Sequence, residues 1–292
     1  MNKNQKQIIK KWIHENEYES RFGIYKVIRR PQGERNVYCN NVKTGLINNI
    51  CKVTVININQ YDILESLIEE KGINSLNKPK ICFIQTIGNQ FINNSSDSLE
   101  GMRDMNFMIR SNFSGINGDS KQRTELRELE CIYYPIVTNI RQVDFSPCDQ
   151  TNLFFFSMIL TIPLSEHKLI KNDSMLSKHD FILSLEKLET VFQTAIVKCH
   201  KILVFSPYGI DEIDGIPVED VIKMFNRCIL KYGHKFNNII LTIPPQYDKT
   251  IFENFNNKII KPQELTNHID DKYEALKSHF KLKNLEELEE IE

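Results

Sequence analysis

The sequence predicts a three-layer α/β domain, and three observations support this fold class. Strand-like runs alternate with stretches of helical periodicity along the chain. The strand-like runs are almost continuously apolar, which is typical of strands buried on both faces of a sheet. The chain has 292 residues, enough to bury a sizeable core, and shows no internal repeat or long linker. We therefore assign residues 1–260 to one domain and residues 261–292 to a charged C-terminal helical extension.

The individual elements follow from these patterns. The segment KVTVININ (52–59) reads as a strand, and QYDILESLIEEKG (60–72) follows it with helical periodicity and a terminal glycine. Residues 180–199 form the clearest helix, with apolar residues at helical spacing throughout. Four further strands are predicted, in KICFIQTIG (80–88), LFFFSMILTIP (153–163), ILVF (202–205) and KFNNIILTIPP (235–245).

The composition is that of a globular protein and argues against several partners. The formal net charge of -1 gives no sign of a nucleic-acid-binding surface. The 7 cysteines are scattered and contain no C-x-x-C pair, so we expect reduced, buried thiols. The amino-terminal residues lack the apolar core of a secretory signal, and the longest apolar run, 153–164, is too short to span a membrane. We therefore expect a soluble, cytoplasmic protein with no membrane partner.

The common catalytic and cofactor motifs do not occur. There is no G-x-G-x-x-G, G-K-[ST], H-E-x-x-H or G-x-S-x-G segment. The histidines are isolated from one another, and the acidic segment DEIDG (211–215) lacks the alternating carboxylates and distal glutamate of a calcium loop. We therefore predict neither a cofactor nor a metal site.

One segment does suggest a ligand. Residues 202–225, ILVFSPYGIDEIDGIPVEDVIKMF, read as a buried strand, a loop with two glycines and an amphipathic helix. In α/β proteins this arrangement commonly presents backbone N–H groups to a phosphate. Asp211, Glu212 and Asp214 in the same loop oppose a phosphate unless they turn outward.

Two motifs in this chain resemble those of one known family. The segment IYYPIVTNIR (132–141) resembles the IYSPDVPVFR signature of microbial-type poly(ADP-ribose) glycohydrolase-like proteins, a branch of the macrodomain superfamily. Leu203, Val204, Gly209, Pro217 and Val221 fall into register with the C-terminal motif of that family. The similarity in element order covers about residues 5–256, although the catalytic motifs are divergent.

The resemblance implies a macrodomain-like three-layer α/β/α sandwich with a mixed central sheet, and ADP-ribose or a related nucleotide as the ligand. It places CFIQ, which ends in Gln85, at the strand that leads into the ligand cleft. Together with Gln85, the residues that we expect to line the cleft are Gly88, Asn89, Tyr208 and Gly209, and the ring of Tyr208 is a candidate for stacking on a base or ribose.

The catalytic motifs of the family are altered here. The resemblance implies a Gly-Gly-Gly loop, where this chain has only Gly88, and a Gln-Glu-Glu motif, whose nearest counterpart is SSDSL (95–99). This places Asp97 at the catalytic position, and a competing alignment places Glu125 there. We favour Asp97 because it lies 35 positions before Ile132, close to the family's separation, whereas Glu125 lies 7 before it.

Each of these residues also has a purely structural interpretation. Asp97 among serines and asparagines is a typical helix N-cap, and Glu125 in RTELRELE fits a solvated helix face. Tyr133 and Tyr134 fit core aromatics, and Arg141 fits a salt-bridge partner.

Three functions remain open at this point: an active glycohydrolase, a binding module that has lost catalysis, and a scaffold that has lost the ligand. The sequence favours a divergent ADP-ribose-binding relative with impaired or lost hydrolase activity. If the chain binds another protein, we expect the C-terminal helix to be the contact.

Overall fold

A computed structural model describes the regular core of the chain. The described residues are 7–8, 11–12, 15, 34–36, 50–63, 81–86, 109–112, 129–142, 144–149, 153–164, 169–170, 174–205, 208–210 and 215–265. Asp97, Glu125, Gly88 and Asn89 lie outside these residues, as do the acidic residues at 211, 212 and 214.

The core of the molecule is a seven-stranded mixed sheet with the order β1-β4-β5-β3-β8-β9-β2. The five strands from β5 to β2 run parallel to one another, and β4 and β1 add antiparallel pairs at one edge. Strands β6 and β7 form a separate two-stranded hairpin. The strands are β1 (Glu34–Asn36), β2 (Lys52–Ile56), β3 (Ile81–Thr86), β4 (Cys131–Asn139), β5 (Phe154–Thr161), β6 (Leu169–Ile170), β7 (Met175–Leu176), β8 (Ile202–Phe205) and β9 (Asn238–Thr242).

Both faces of the sheet are buried, as the continuously apolar strands predict. All six residues of β3 are buried. Cys82 and Ile84 on this strand join a core that includes the helices following β7, β8 and β9, which we call the helix-packed face. Ile81 and Phe83 point the other way, into a core rich in aromatic rings that includes Tyr61, which we call the aromatic face. The predicted three-layer α/β class with a mixed sheet is therefore confirmed.

Helices with recognisable start signals cover the helix-packed face. They are α1 (Lys178–Val197), α2 (Val218–Tyr232), α3 (Lys249–Lys258) and α4 (Pro262–Leu265), with a 3-10 turn at Gly233–Lys235. Ser177 caps α1 by accepting a hydrogen bond from the Asp180 N–H, and Asp248 caps α3 by accepting from the Thr250 N–H. Pro217 is the N-cap of α2.

Helix α4 lies against the edge of the sheet. The Gln263 side chain accepts a hydrogen bond from the Val53 N–H at 2.9 Å and donates one to the Val53 carbonyl at 2.7 Å. The start of the predicted C-terminal extension therefore contacts β2. Residues 266–292 lie outside the described residues, so the division at residue 260 stays a prediction.

The cysteines that the structure describes are free thiols, and all but one are buried. Cys51, Cys82, Cys131, Cys148 and Cys228 are buried, and Cys199 is exposed. Burial raises the pKa of Cys51 to about 12 and that of Cys131 to about 11. Within the described part of the chain, no helix combines the length and apolarity needed to cross a membrane.

Candidate functional site

The topology of the sheet indicates where a ligand can bind. β3 and β8 are neighbours in the sheet. The strand that follows β3 in the chain, β4, lies on one side of this pair, and the strand that follows β8, β9, lies on the other side. In open α/β sheets, ligands bind in the crevice outside the carboxyl ends of two such strands. We refer to this place, beyond the last β3–β8 pair of Ile84 and Phe205, as the β3–β8 crevice.

Gln60 closes the inner end of the crevice. This residue opens the helical stretch that follows β2, and its Nε2 atom donates to the Ile84 and Val204 carbonyls, both at 3.0 Å. One side-chain amide thus joins the two strands at the point where their ladder ends. Gln60 is only 1% exposed, and its Oε1 atom has no hydrogen-bond partner among the described residues. Sequence reasoning missed this residue, because a polar residue at a strand–helix junction also fits an ordinary turn.

Gln85 is the penultimate residue of β3, and its place in a ligand cleft stays a prediction. Its Nε2 atom donates to the Thr86 carbonyl at 3.1 Å, and the side chain is 1% exposed. Its Oε1 atom also has no hydrogen-bond partner in the described part of the chain. Both glutamines therefore carry a buried amide oxygen that can accept a hydrogen bond.

Residues 208–210 and 215–217 are the described part of the segment between β8 and α2. Gly209 has a φ of +70°, a left-handed conformation that favours glycine. The Ile216 N–H donates to the Gly209 carbonyl at 3.0 Å, and this hydrogen bond joins the two described parts of the segment. A Cβ atom at Gly209 would lie 2.6 Å from Ile216 Cδ1, so the packing against Ile216 also requires glycine.

Tyr208 occupies a different position from the one expected for a stacking residue. Its side chain is fully buried on the helix-packed face and meets the Phe225 ring edge-on, with centroids 6.4 Å apart. The prediction that its ring stacks on a base or ribose is therefore wrong for this conformation, because core side chains cover the ring. Any contact of Tyr208 with a ligand would have to involve its main chain.

The carboxylates in the first turn of α2 form hydrogen bonds and ion pairs with other residues of the protein. Asp220 is 1% exposed, accepts a hydrogen bond from the Leu176 N–H at 2.7 Å and pairs with Lys223 at 3.2 Å. Glu219 pairs with Lys258 of α3. These carboxylates hold the β6–β7 hairpin and α3 against α2, so their function is structural.

The IYYPIVTNIR segment has a structural function in the described core. It forms most of β4, where Tyr133 faces the helix-packed core and Tyr134 the aromatic one. The Tyr133 hydroxyl is 2.9 Å from His200 Nε2. Arg141 donates to Glu15 at 3.1 Å and to the Phe145 carbonyl at 2.9 Å. The interpretations of Tyr133 and Tyr134 as core residues and of Arg141 as a salt-bridge partner are confirmed.

A buried cation on the aromatic face was not anticipated. Arg110 is 2% exposed, pairs with Asp62 at 3.3 Å and lies with its guanidinium 5.0 Å from the centre of the Tyr61 ring. Its backbone carbonyl accepts from the Ile140 N–H at 2.7 Å. Arg110 thus joins the helical residues after β2 to the end of β4.

Among the described residues, no three His, Cys, Asp or Glu side chains lie close enough together to hold a metal ion.

Comparisons with known proteins bear on the fold. No protein-family model matches the chain, and no curated protein matches it in sequence. Solved structures do match. A poly(ADP-ribose) glycohydrolase from Thermomonospora curvata superimposes with a TM-score of 0.67 at 10% identity, covering 87% of this chain and 100% of that one.

Two further matches contain small molecules. The enzyme from Deinococcus radiodurans, in complex with ADP-ribose, matches with a TM-score of 0.55 at 9% identity, over 88% of this chain and 92% of that one. The Thermomonospora curvata enzyme bound to the inhibitor ADP-HPD matches with a TM-score of 0.55 at 12% identity, over 72% and 79% of the two chains. The resemblance inferred from the two sequence motifs is thus confirmed at the level of the fold: this chain has the fold of the microbial poly(ADP-ribose) glycohydrolases.

Proposed function

We propose that the protein binds ADP-ribose or a closely related nucleotide in the β3–β8 crevice, and that its hydrolase activity is impaired or lost. The observation that carries the proposal is the β3–β8 crevice, which lies at the carboxyl ends of two parallel strands whose following strands lie on opposite sides. A solved structure with the same fold is in complex with ADP-ribose.

The residues around the crevice support a polar ligand. The buried Oε1 atoms of Gln60 and Gln85 are acceptors for the hydroxyl or amino groups of a nucleotide. Gly209 lets the backbone after β8 adopt a left-handed turn at the carboxyl end of the strand, beside the crevice. These contacts are directional, so they suit a nucleotide better than a purely apolar compound.

The divergence of the catalytic motifs supports a loss of activity. Cleavage of a glycosidic bond needs a carboxyl group placed to protonate the leaving oxygen or to stabilise the developing positive charge. Asp97, the favoured candidate, is one methylene shorter than the glutamate implied by the resemblance. A displacement on the order of 1 Å costs about 100-fold in rate. The resemblance also implies three glycines where the chain has only Gly88.

Calorimetric titration of the full chain with ADP-ribose tests the binding step. We expect saturable heat with wild type and at least a tenfold loss of affinity in Gln85→Leu, which removes one buried acceptor near the carboxyl end of β3. Gln193→Leu is the matched control, because Gln193 is equally buried but lies on α1 and donates to Tyr232 instead. Absence of heat and of a thermal shift at millimolar ADP-ribose would overturn the proposal in favour of a scaffold.

A turnover assay on poly(ADP-ribose), run beside an active microbial enzyme, tests the catalytic step. We expect release of ADP-ribose at least about 100-fold slower than with the active enzyme. Turnover at a comparable rate would instead show an active glycohydrolase. In that case Asp97→Ala and Glu125→Ala distinguish the two candidate acids, and activity unaffected by either substitution excludes both.

A further inference from the structure

Lysines gather at the amino ends of three neighbouring strands, opposite the β3–β8 crevice. Lys52 is the first residue of β2, Lys201 immediately precedes β8, and Lys235 lies three residues before β9. We call these three residues the amino-end lysine patch. Because β8, β9 and β2 are adjacent and strands lie about 4.8 Å apart, the patch spans about 10 Å.

The main chain holds the patch together. The Lys52 N–H donates to the Asn237 carbonyl at 2.8 Å, and the Asn237 N–H donates to the Lys201 carbonyl at 2.8 Å. The Lys201 ammonium donates to the Lys235 carbonyl at 3.0 Å. The three side chains therefore project from one continuous edge of the sheet.

The patch carries positive charge that nearby carboxylates do not neutralise. None of its three lysines forms a salt bridge with another described residue, whereas Lys231 close by pairs with Glu189 at 2.8 Å. Lys52 and Lys201 are exposed, and Lys235 is half-buried. The chain as a whole has a net charge of only -1, so the positive charge at this edge must be balanced by acidic residues elsewhere.

The polypeptide leaves the described core beside this patch. Gln263 is fixed to Val53, the neighbour of Lys52, and α4 ends two residues later at Leu265. Further along the sequence, residues 286–292 (EELEEIE) contain five glutamates and neither lysine nor arginine. The 21 residues from Leu265 to Glu286 reach about 30 Å as a helix and about 70 Å when extended. Either distance exceeds the width of the patch.

From the charge complementarity and the exit point we propose that the glutamate-rich segment 286–292 docks on the amino-end lysine patch of the same chain. The contact consists of exposed ion pairs, each contributing up to about fivefold to the docking equilibrium. Docking is therefore sensitive to salt, and it leaves the β3–β8 crevice open because the patch is at the opposite ends of the strands. The proposal does not depend on what the crevice binds.

Zero-length carbodiimide coupling of the full chain, followed by peptide mass mapping, tests this docking. We expect amide links between patch lysines and residues 286–292 within monomeric protein at low salt. These links should be lost in about 0.5 M NaCl, where the screening length falls to about 4 Å. Lys249, whose side chain is 84% exposed on α3, is the control and should not couple to the segment.

Charge variants sharpen the test. Lys201→Glu with Lys235→Glu leaves Lys52 and all five glutamates able to react, so coupling of Lys52 to residues 286–292 should fall by about 5- to 30-fold, the loss of one or two such pairs. Combining these changes with glutamate-to-lysine changes at 286, 287, 289 and 290 should restore coupling, now between the new lysines and the new glutamates. Links that join two chains, links spread equally to Lys249, or links that persist at high salt would each overturn the proposal.

Discussion

The two ends of the parallel strands are closed by different kinds of hydrogen bond. At the amino ends, main-chain groups of Lys52, Asn237 and Lys201 bond directly to one another. At the carboxyl ends, β3 and β8 separate, and the side chain of Gln60 bonds to a carbonyl of each strand. The amino ends are thus secured by backbone that any sequence can supply. The carboxyl ends of β3 and β8 depend on a particular side chain, and this is a place where the sequence can change without loss of the sheet.

The largest expected effect is at Gln60. Gln60→Leu removes the hydrogen bonds to the buried Ile84 and Val204 carbonyls, so we expect a loss of about 2–4 kcal/mol in the free energy of unfolding. ADP-ribose affinity should fall as well if the proposed function holds. Chemical denaturation and calorimetry measure the two effects.

Gln193→Leu is the matched change away from the crevice. It removes one hydrogen bond, to a Tyr232 hydroxyl that still donates to Glu189, so a loss of about 1 kcal/mol is expected with unchanged ligand affinity. Equal effects of the two substitutions on stability and binding would contradict the particular dependence of the crevice on Gln60.

A smaller effect is expected at Gly209. Gly209→Ala places a side chain at a φ of +70°, and the left-handed conformation costs about 1–2 kcal/mol. Gly233→Ala is the control, because Gly233 has a right-handed helical conformation and its nearest neighbour would lie 3.6 Å from the new Cβ. We expect Gly233→Ala to be neutral or to stabilise by up to about 1 kcal/mol. Thermal unfolding compares the two, and an equally tolerated Gly209→Ala would contradict the assigned geometry.

Tyr133 tests the buried polar contacts of β4. Tyr133→Phe removes the hydroxyl that lies 2.9 Å from His200 Nε2 and 3.3 Å from Ser157 Oγ. We expect a loss of about 1 kcal/mol in unfolding free energy, because the shape of the core is kept. Calorimetry should find the same ADP-ribose affinity as in wild type, and a clear loss of binding would place Tyr133 in the ligand site.

The smallest effect concerns pH. Burial, together with the neighbouring charge of Lys235, lowers the pKa of His234 below its ordinary value. A histidine whose pKa is lower in the folded state adds stability above the unfolded pKa of about 6.5, and this stability is lost as the pH falls. Between pH 7 and pH 5, the stability of wild type should therefore fall slightly more than that of His234→Asn. Parallel denaturation series measure the difference, and identical slopes would contradict it.

Much of the fold could be predicted because burial on both faces leaves a local signature. The strands β3, β8 and β9 and the helix α1 each appear in the sequence as an apolar run or as apolar residues at helical spacing. Strand β4 was not assigned. Pro135 interrupts it, and its pairing with β5 shifts register between Tyr134 and Val137. A proline and a bulge both remove the local pattern by which strands are recognised.

The candidate site could be predicted only where it lies at the end of a predicted strand. Gln85 is the penultimate residue of β3 and Gly209 follows β8 closely, so the apolar runs of these strands predict that both lie at the carboxyl ends. The function of Gln60 was not, because its partners Ile84 and Val204 are 24 and 144 residues away. The ion pair of Arg110 with Asp62 spans 48 residues and was missed for the same reason. Contacts of this kind depend on the assembled fold, and no sequence spacing reports them.

The contact between Gln263 and Val53 has a consequence for the sheet as a whole. An edge strand with free N–H and carbonyl groups is a template for pairing with another polypeptide. Here the Gln263 amide occupies both outward groups of Val53 and imitates one residue of an eighth strand. At the far edge, β1 pairs along only three residues. By occupying these two groups, Gln263 protects the β2 edge at Val53 against the addition of a further strand, which is the first step of edge-to-edge aggregation.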